Sequence, residues 1–321
     1  MTPVAIQRVI TGVIYRFYAA ARAGLLFFAL ITASGVSAAQ GEGPSFELAG
    51  RVLYSSSLSE PYYSYKMDAT AGYSVTLFEA RLGYLRHLRY QLTDGVGNYS
   101  YADLNQAHAE LAYTPVDAFE LKAGARCSRG DSSFRGVEYN GEFSLYFEMI
   151  TLSGGIMSAA EKFSMVGQRY TLGRRLYSLD AVREISDAAW IDAGLDYNRI
   201  DFKMTDAAYA KSTGRMGAGI NLIKPVTVLF GLSYGRDSLA YSLPGADVGF
   251  DFRFALGLKA SVFYAFTYYW APSSMSTEAG GWHGGGGGTG YSRDTNPFMR
   301  SSLAGTSFAA HALSVGASFV F

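Results

Sequence analysis

Leu313-Ser314-Val315-Gly316-Ala317-Ser318-Phe319-Val320-Phe321 closes the chain. Leu313, Val315, Ala317, Phe319 and Phe321 fall on one face, and Ser314, Gly316 and Ser318 on the other. Successive side chains of a strand point to opposite faces. This strand is therefore apolar on one side and small or polar on the other, which suits a sheet with lipid outside and water inside.

The same period of two runs through nearly everything after residue 45. In Asp247–Leu258, Val248, Phe250, Phe252, Phe254, Leu256 and Leu258 share a face opposite Asp247, Gly249, Asp251, Arg253, Ala255 and Gly257. Val137, Tyr139, Gly141, Phe143, Leu145 and Phe147 oppose Glu138, Asn140, Glu142 and Ser144. Similar rows occur at 107–113, 119–126, 215–222, 226–234 and 262–270. Beyond residue 40 there is no run of 18 apolar residues of the kind a spanning helix needs. In hydrocarbon every backbone polar group must be paired internally, and a closed barrel is the other way to do it.

A terminal strand of this kind resembles that of bacterial outer-membrane β-barrels. The resemblance implies that Phe319 and Phe321 belong to the signal read by the outer-membrane assembly machinery. The start of the chain agrees. Residues 1–23 carry Arg8, Arg16 and Arg22 and no acid, an apolar run covers 24–36, and Ser37-Ala38-Ala39 supplies small residues. This is the layout of a signal peptide over 1–39, with the barrel over 40–321. Cleavage after Ala39 would remove those three arginines and turn 27 basic against 27 acidic residues into 24 against 27. No basic field for nucleic acid exists. The 24 Tyr, 21 Phe and 3 Trp suit membrane–water interfaces.

Connections are read as alternately short and long. Short ones fall at 114–118, 148–150, 224–225 and 258–259, and long ones at 56–68, 91–103, 128–136, 159–186, 237–246 and 271–304. Parity breaks at Arg199-Ile200, read as a turn before a poor strand over 200–210. The expectation is an all-β, antiparallel up-and-down transmembrane barrel of about 14 strands. Twelve or 16 strands are the alternatives, and a tall eight-stranded barrel fits less well.

The charged face of these strands supplies the candidate lumen lining: Glu47, Arg51, Arg81, Arg89, Glu110, Glu120, Lys122, Arg126, Glu138, Glu142, Asp192, Asp196, Arg215, Asp247, Asp251 and Arg253. Asp201 and Lys203 are placed on the same face, which is then weakly acidic. Lys162, Arg169, Arg174, Arg175 and Arg183 mark 159–186 as a solvated outer loop that meets lipopolysaccharide or glycolipid, with a loop folded into the pore as the competing reading. Leu179–Ile185 is read as a helical turn or two within it.

Gly284–Gly288 lacks the Lys-Ser/Thr of a phosphate-binding loop. His283 has no neighbouring metal ligands in the sequence. His87 and His108 fall on the inward parity, His311 near the outer rim, and the lone Cys127 is a wall residue. Gly231-Leu232-Ser233-Tyr234-Gly235 matches Gly-x-Ser-x-Gly in letters but continues the alternating row of 226–234 instead of turning from strand into helix, so neither an enzyme nor a cofactor is expected. The reading is a passive diffusion pore for small hydrophilic solutes in the bacterial outer membrane, leaning toward cations, with membrane lipid and the assembly machinery as its partners. The alternatives are a surface-interaction barrel whose outer loops bind host or lipid ligands, and a fatty-acid-type transporter of hydrophobic substrates.

Overall fold

The computed structural model describes residues 43–57, 60–93, 99–131, 133–203, 207–223, 225–238, 240–254, 257–271, 283–284, 298–299 and 307–320. The expected signal peptide, Phe321 and most of the 271–304 loop lie outside them.

Fourteen strands alternate up and down: β1 (Gly43–Ser57), β2 (Glu60–Val75), β3 (Phe78–Thr93), β4 (Tyr99–Val116), β5 (Phe119–Gly130), β6 (Arg135–Tyr146), β7 (Ile150–Met165), β8 (Gln168–Ser186), β9 (Ala189–Phe202), β10 (Ala207–Ile223), β11 (Val226–Asp237), β12 (Ser242–Arg253), β13 (Leu258–Tyr269) and β14 (Phe308–Val320). Each pairs antiparallel with its sequence neighbour, and β14 pairs back onto β1 from Glu47↔Val320 to Ser57↔Ala310, which closes the barrel. Closure leaves no unpaired sheet edge, the condition a strand protein must meet in lipid. His283–Gly284 and Phe298–Met299 form a separate two-residue ribbon. No α-helix occurs among the described residues.

Gly43 and Val320 lie at one end of the barrel, here the near end, with the short hairpins 75–78, 116–119, 146–150, 186–189, 223–226 and 253–258. The opposite end is the far end. Leu232 and Met216 are cross-strand partners on the exterior, 68% and 71% exposed. Leu82, Leu195 and Ile156 belong to the same apolar exterior, which is the band that faces lipid.

The expected count of about 14 is met, but through two errors that cancel. Segment 159–186 is not a loop. β7 and β8 run through it with 16 and 19 residues, and Leu179–Ile185 is extended rather than helical. Conversely, β9 passes straight through Arg199-Ile200, so one strand stands where two were expected. The connections expected at 56–68, 91–103, 128–136 and 237–246 are also largely strand, and β12 stops at Arg253 rather than Leu258. Strands of 12–19 residues exceed the 9–11 that cross hydrocarbon, so they continue past it.

The β7–β8 hairpin turns on two residues, Val166 (φ 50°) and Gly167 (φ 77°). Positive φ at both central positions is the twist-matched geometry of a two-residue hairpin, which favours Asn-Gly. A β-branched valine is strained there. Val166 is 91% exposed and holds nothing by packing. Val166→Asn should therefore stabilise the hairpin by about 1 kcal/mol, measured as a higher urea midpoint of the folded barrel.

Candidate functional site: the barrel interior

The interior has two levels with different chemistry. Toward the near end, Glu47 and Arg51 (β1), Lys66 and Asp68 (β2), Asp251 and Arg253 (β12), Lys259 and Ser261 (β13) and Ser318 (β14) line one cavity of about 460 Å³. Arg51 stands directly opposite Lys66, and Arg253 opposite Lys259. Like charges opposed on one face repel, and the acids between them offset this. Lys66, Asp68 and Lys259 join the expected lining residues because 60–68 and 258–259, expected as connections, are strand.

On the opposite wall Arg215 (β10) reaches three carboxylates. It pairs with Asp180 (β8), and lies 3.6 Å from Asp192 and 3.8 Å from Asp196 (β9). Gly194 of β9 is the cross-strand partner of both Asp180 and Arg215, which lets them meet over it. A Cβ at Gly194 would meet both side chains. Asp180 was hidden in the supposed loop. These groups are partly exposed, so the cluster is worth less than a fully buried one. Arg215→Leu should cost about 1.5–3 kcal/mol, read as lower resistance of the barrel to urea.

Arg126 pairs with Glu138 at 3.4 Å, and Lys122 with Glu120 at 2.8 Å while facing Glu142 across the strand pair. Arg81 pairs with Glu79 at 2.8 Å and stands opposite Glu110. Asp247 lies against Gly231. His108 contacts Thr70 at 3.3 Å and Asp68 at 4.0 Å. No group of three or more His, Cys, Asp and Glu residues with metal-binding geometry occurs among the described residues.

Three expected inward residues point elsewhere. A bulge between His87 and Tyr90 gives Arg89 φ 57° and breaks its parity, so its guanidinium lies 4.7 Å from the Tyr101 ring centre. Asp201 and Lys203 follow the outward parity of Arg199, because β9 does not turn at 199–200. Apolar side chains do not face lipid at every depth. In β9, Ile200 and Phe202 are apolar and face inward.

They belong to the second level, near the far end. Leu92 (β3), Leu104 (β4), Phe134 (the β5–β6 connection), Phe163 (β7), Leu172 (β8), Ile200 and Phe202 (β9) pack into one cluster, each at most 3% exposed. Ala102, Met165 and Tyr209 complete it. The Tyr90 hydroxyl donates to Glu161 of β7 at 3.1 Å, and Arg174 of β8 donates to the same hydroxyl at 2.6 Å. Arg174 also lies 3.4 Å from Glu161. β3 is four strands from β7 and five from β8, so these side chains meet by crossing the bore. A second set adjoins: Lys211 stands opposite Asp237, Tyr209 donates to Asp237 at 3.4 Å, and the Tyr241 N–H donates to it at 2.9 Å beside buried Leu243 and Tyr269.

No protein-family profile matches the chain, and no curated sequence is significantly similar to it. Its fold does match solved structures. The CymD monoaromatic hydrocarbon channel aligns with a TM-score of 0.55 at 9% identity, covering 87% of this chain and 89% of that one. A deletion mutant of the TodX monoaromatic hydrocarbon channel gives 0.51 at 8% identity, over 87% and 90%. The outer-membrane OmpT of Vibrio cholerae gives 0.50 at 10% identity, over 87% and 97%. The likeness is one of fold: the chain has the closed antiparallel β-barrel fold of these outer-membrane proteins.

Proposed function

We propose that this barrel is a passive channel for small solutes, in which passage is decided by the apolar layer at the far end rather than by the charged wall beneath it. The observation that carries this reading is the contact across the bore, where Tyr90 meets Glu161 and Arg174 within a ring of buried Leu, Ile and Phe side chains. An apolar constriction expels water and so resists hydrated ions. A small uncharged solute with apolar surface loses little on entering it. Such a solute would then reach the polar cavity beside Glu47, Arg51, Asp251 and Arg253. Two of the fold neighbours are named as monoaromatic hydrocarbon channels, which agrees with this class of solute.

The charged lower wall favours a second reading, a pore for hydrophilic solutes. Adding Asp68, Glu161, Asp180 and Asp237 against Lys66, Arg174, Lys211 and Lys259, and removing Asp201 against Arg89 and Lys203, keeps the acidic excess. A cation preference follows if the far layer opens.

Planar-bilayer recording of the intact chain, paired with a binding titration of a monoaromatic solute, separates the two. Little ionic current together with saturable binding supports the apolar-layer channel. Stable open steps without binding favour the hydrophilic pore. Silence in both assays refutes both and leaves the surface-interaction barrel.

A further inference from the structure

The exterior of the far end carries a row of basic side chains that the channel reading does not use. Arg129 of β5 stands directly opposite Arg135 of β6, and Arg135 opposite Lys162 of β7. Lys162 faces Thr171 of β8, whose carbonyl accepts the Lys203 N–H. Just beside this row Arg175 of β8 faces Arg199 of β9. All six cations are exposed.

Like charges placed opposite one another on one sheet face destabilise it. Here the repulsion has little internal relief. Among the described residues only Arg199 of this set has an ion pair, with Asp201 at 2.8 Å. Glu138 and Glu161 are nearby in sequence but are held by Arg126 and Arg174 inside the barrel. Asp103 and Asp131 flank the row at β4 and β5, and their carboxylates accept backbone N–H groups, from Arg89 at 3.0 Å and Asp103 at 3.4 Å.

The row has a defined depth. Tyr139, Tyr177 and Tyr197 lie on the same exterior face one or two steps nearer the membrane centre, exposed, with the Tyr177 and Tyr197 rings 6.1 Å apart. Tyrosines of this kind mark the membrane–water interface. The cations therefore stand at the level of lipid headgroups. Arginine forks match phosphate oxygens in pairs.

We propose that this face of β5–β9 binds the phosphate groups of a phosphorylated glycolipid in the adjoining leaflet. The lipid supplies the counter-charge that the row lacks, and its acyl chains lie on the apolar exterior below the tyrosines.

The test uses the full chain folded in neutral detergent. It is titrated with bisphosphorylated lipid A, with the dephosphorylated lipid and with inorganic phosphate, and bound lipid is counted by native mass spectrometry. Binding of the phosphorylated lipid should exceed that of the dephosphorylated form, and free phosphate should not displace it. Arg135→Gln with Lys162→Gln should weaken binding about 30-fold, from the attraction expected of two cations at a phosphate-bearing surface. Arg129→Gln with Lys203→Gln is a second pair that should act alike. Arg183→Gln, exposed near the opposite end of β8, should leave binding unchanged. Heat-modifiable mobility confirms that each variant is folded. Equal binding of the dephosphorylated lipid, displacement by free phosphate, or full binding by both folded double variants would overturn the proposal.

Discussion

Leu232→Arg should leave most of the chain unassembled. Leu232 lies in mid-strand on the exterior opposite Met216, and both are strongly exposed to the surroundings of the barrel. An arginine on the lipid face costs about 2–4 kcal/mol at mid-depth. Asp247→Asn is the matched control, since Asp247 lies against Gly231, one residue from Leu232, on the opposite face of the wall. It should assemble normally. Heat-modifiable mobility after folding into phospholipid vesicles reads both. Normal assembly of Leu232→Arg with failure of Asp247→Asn would invert the faces of β11 and β12.

The second large effect belongs to the far layer. Phe163→Ala together with Phe202→Ala removes two side chains that are 2% and 3% exposed. Each such truncation in a packed cluster costs about 3–5 kcal/mol of packing. Both side chains belong to the apolar cluster at the far end. Glu161 is two residues from Phe163 on the same face of β7, and Arg174 two residues from Leu172, the cross-strand partner of Phe202, so water entering there gains polar partners. The expected result is the appearance of stable ionic current in a protein that is otherwise nearly silent, with cations preferred over anions. Glu161→Ala should act in the same direction, because it removes the buried carboxylate that both Arg174 and the Tyr90 hydroxyl contact. The larger current would come with loss of aromatic-solute binding in the phenylalanine pair. If the double truncation stays silent in a folded barrel, the far layer is not what limits passage.

The alternation of Asp247–Arg253 or of Leu313–Val320 needs no structure to be read. Two chemically different faces at period two follow directly from strand geometry. With no spanning helix in the sequence, such strands imply closure. Barrel class came from this alone, whereas the strand number agreed because the missed β8 and the extra strand expected at 200–210 offset each other. Parity also places Arg126 and Glu138, and Arg81 and Glu110, on the inner face of adjacent strands, while the register that sets them opposite one another is a property of the folded sheet.

What parity could not reveal is which solvent each face meets at each depth. Ile200 and Phe202 looked like a break because apolar side chains were assumed to face lipid, whereas the far end of the bore is itself apolar. Glu161 and Lys162, adjacent in sequence, face inside and outside, so charged residues on both faces disguised β7 and β8 as a loop. The contact of Tyr90 with Glu161 and Arg174 joins strands four and five apart. It exists only because fourteen strands close at one diameter and bring distant inward side chains within reach. Period two is a local property of the backbone, while the width of the bore and the level at which it fills are set by closure of the whole sheet.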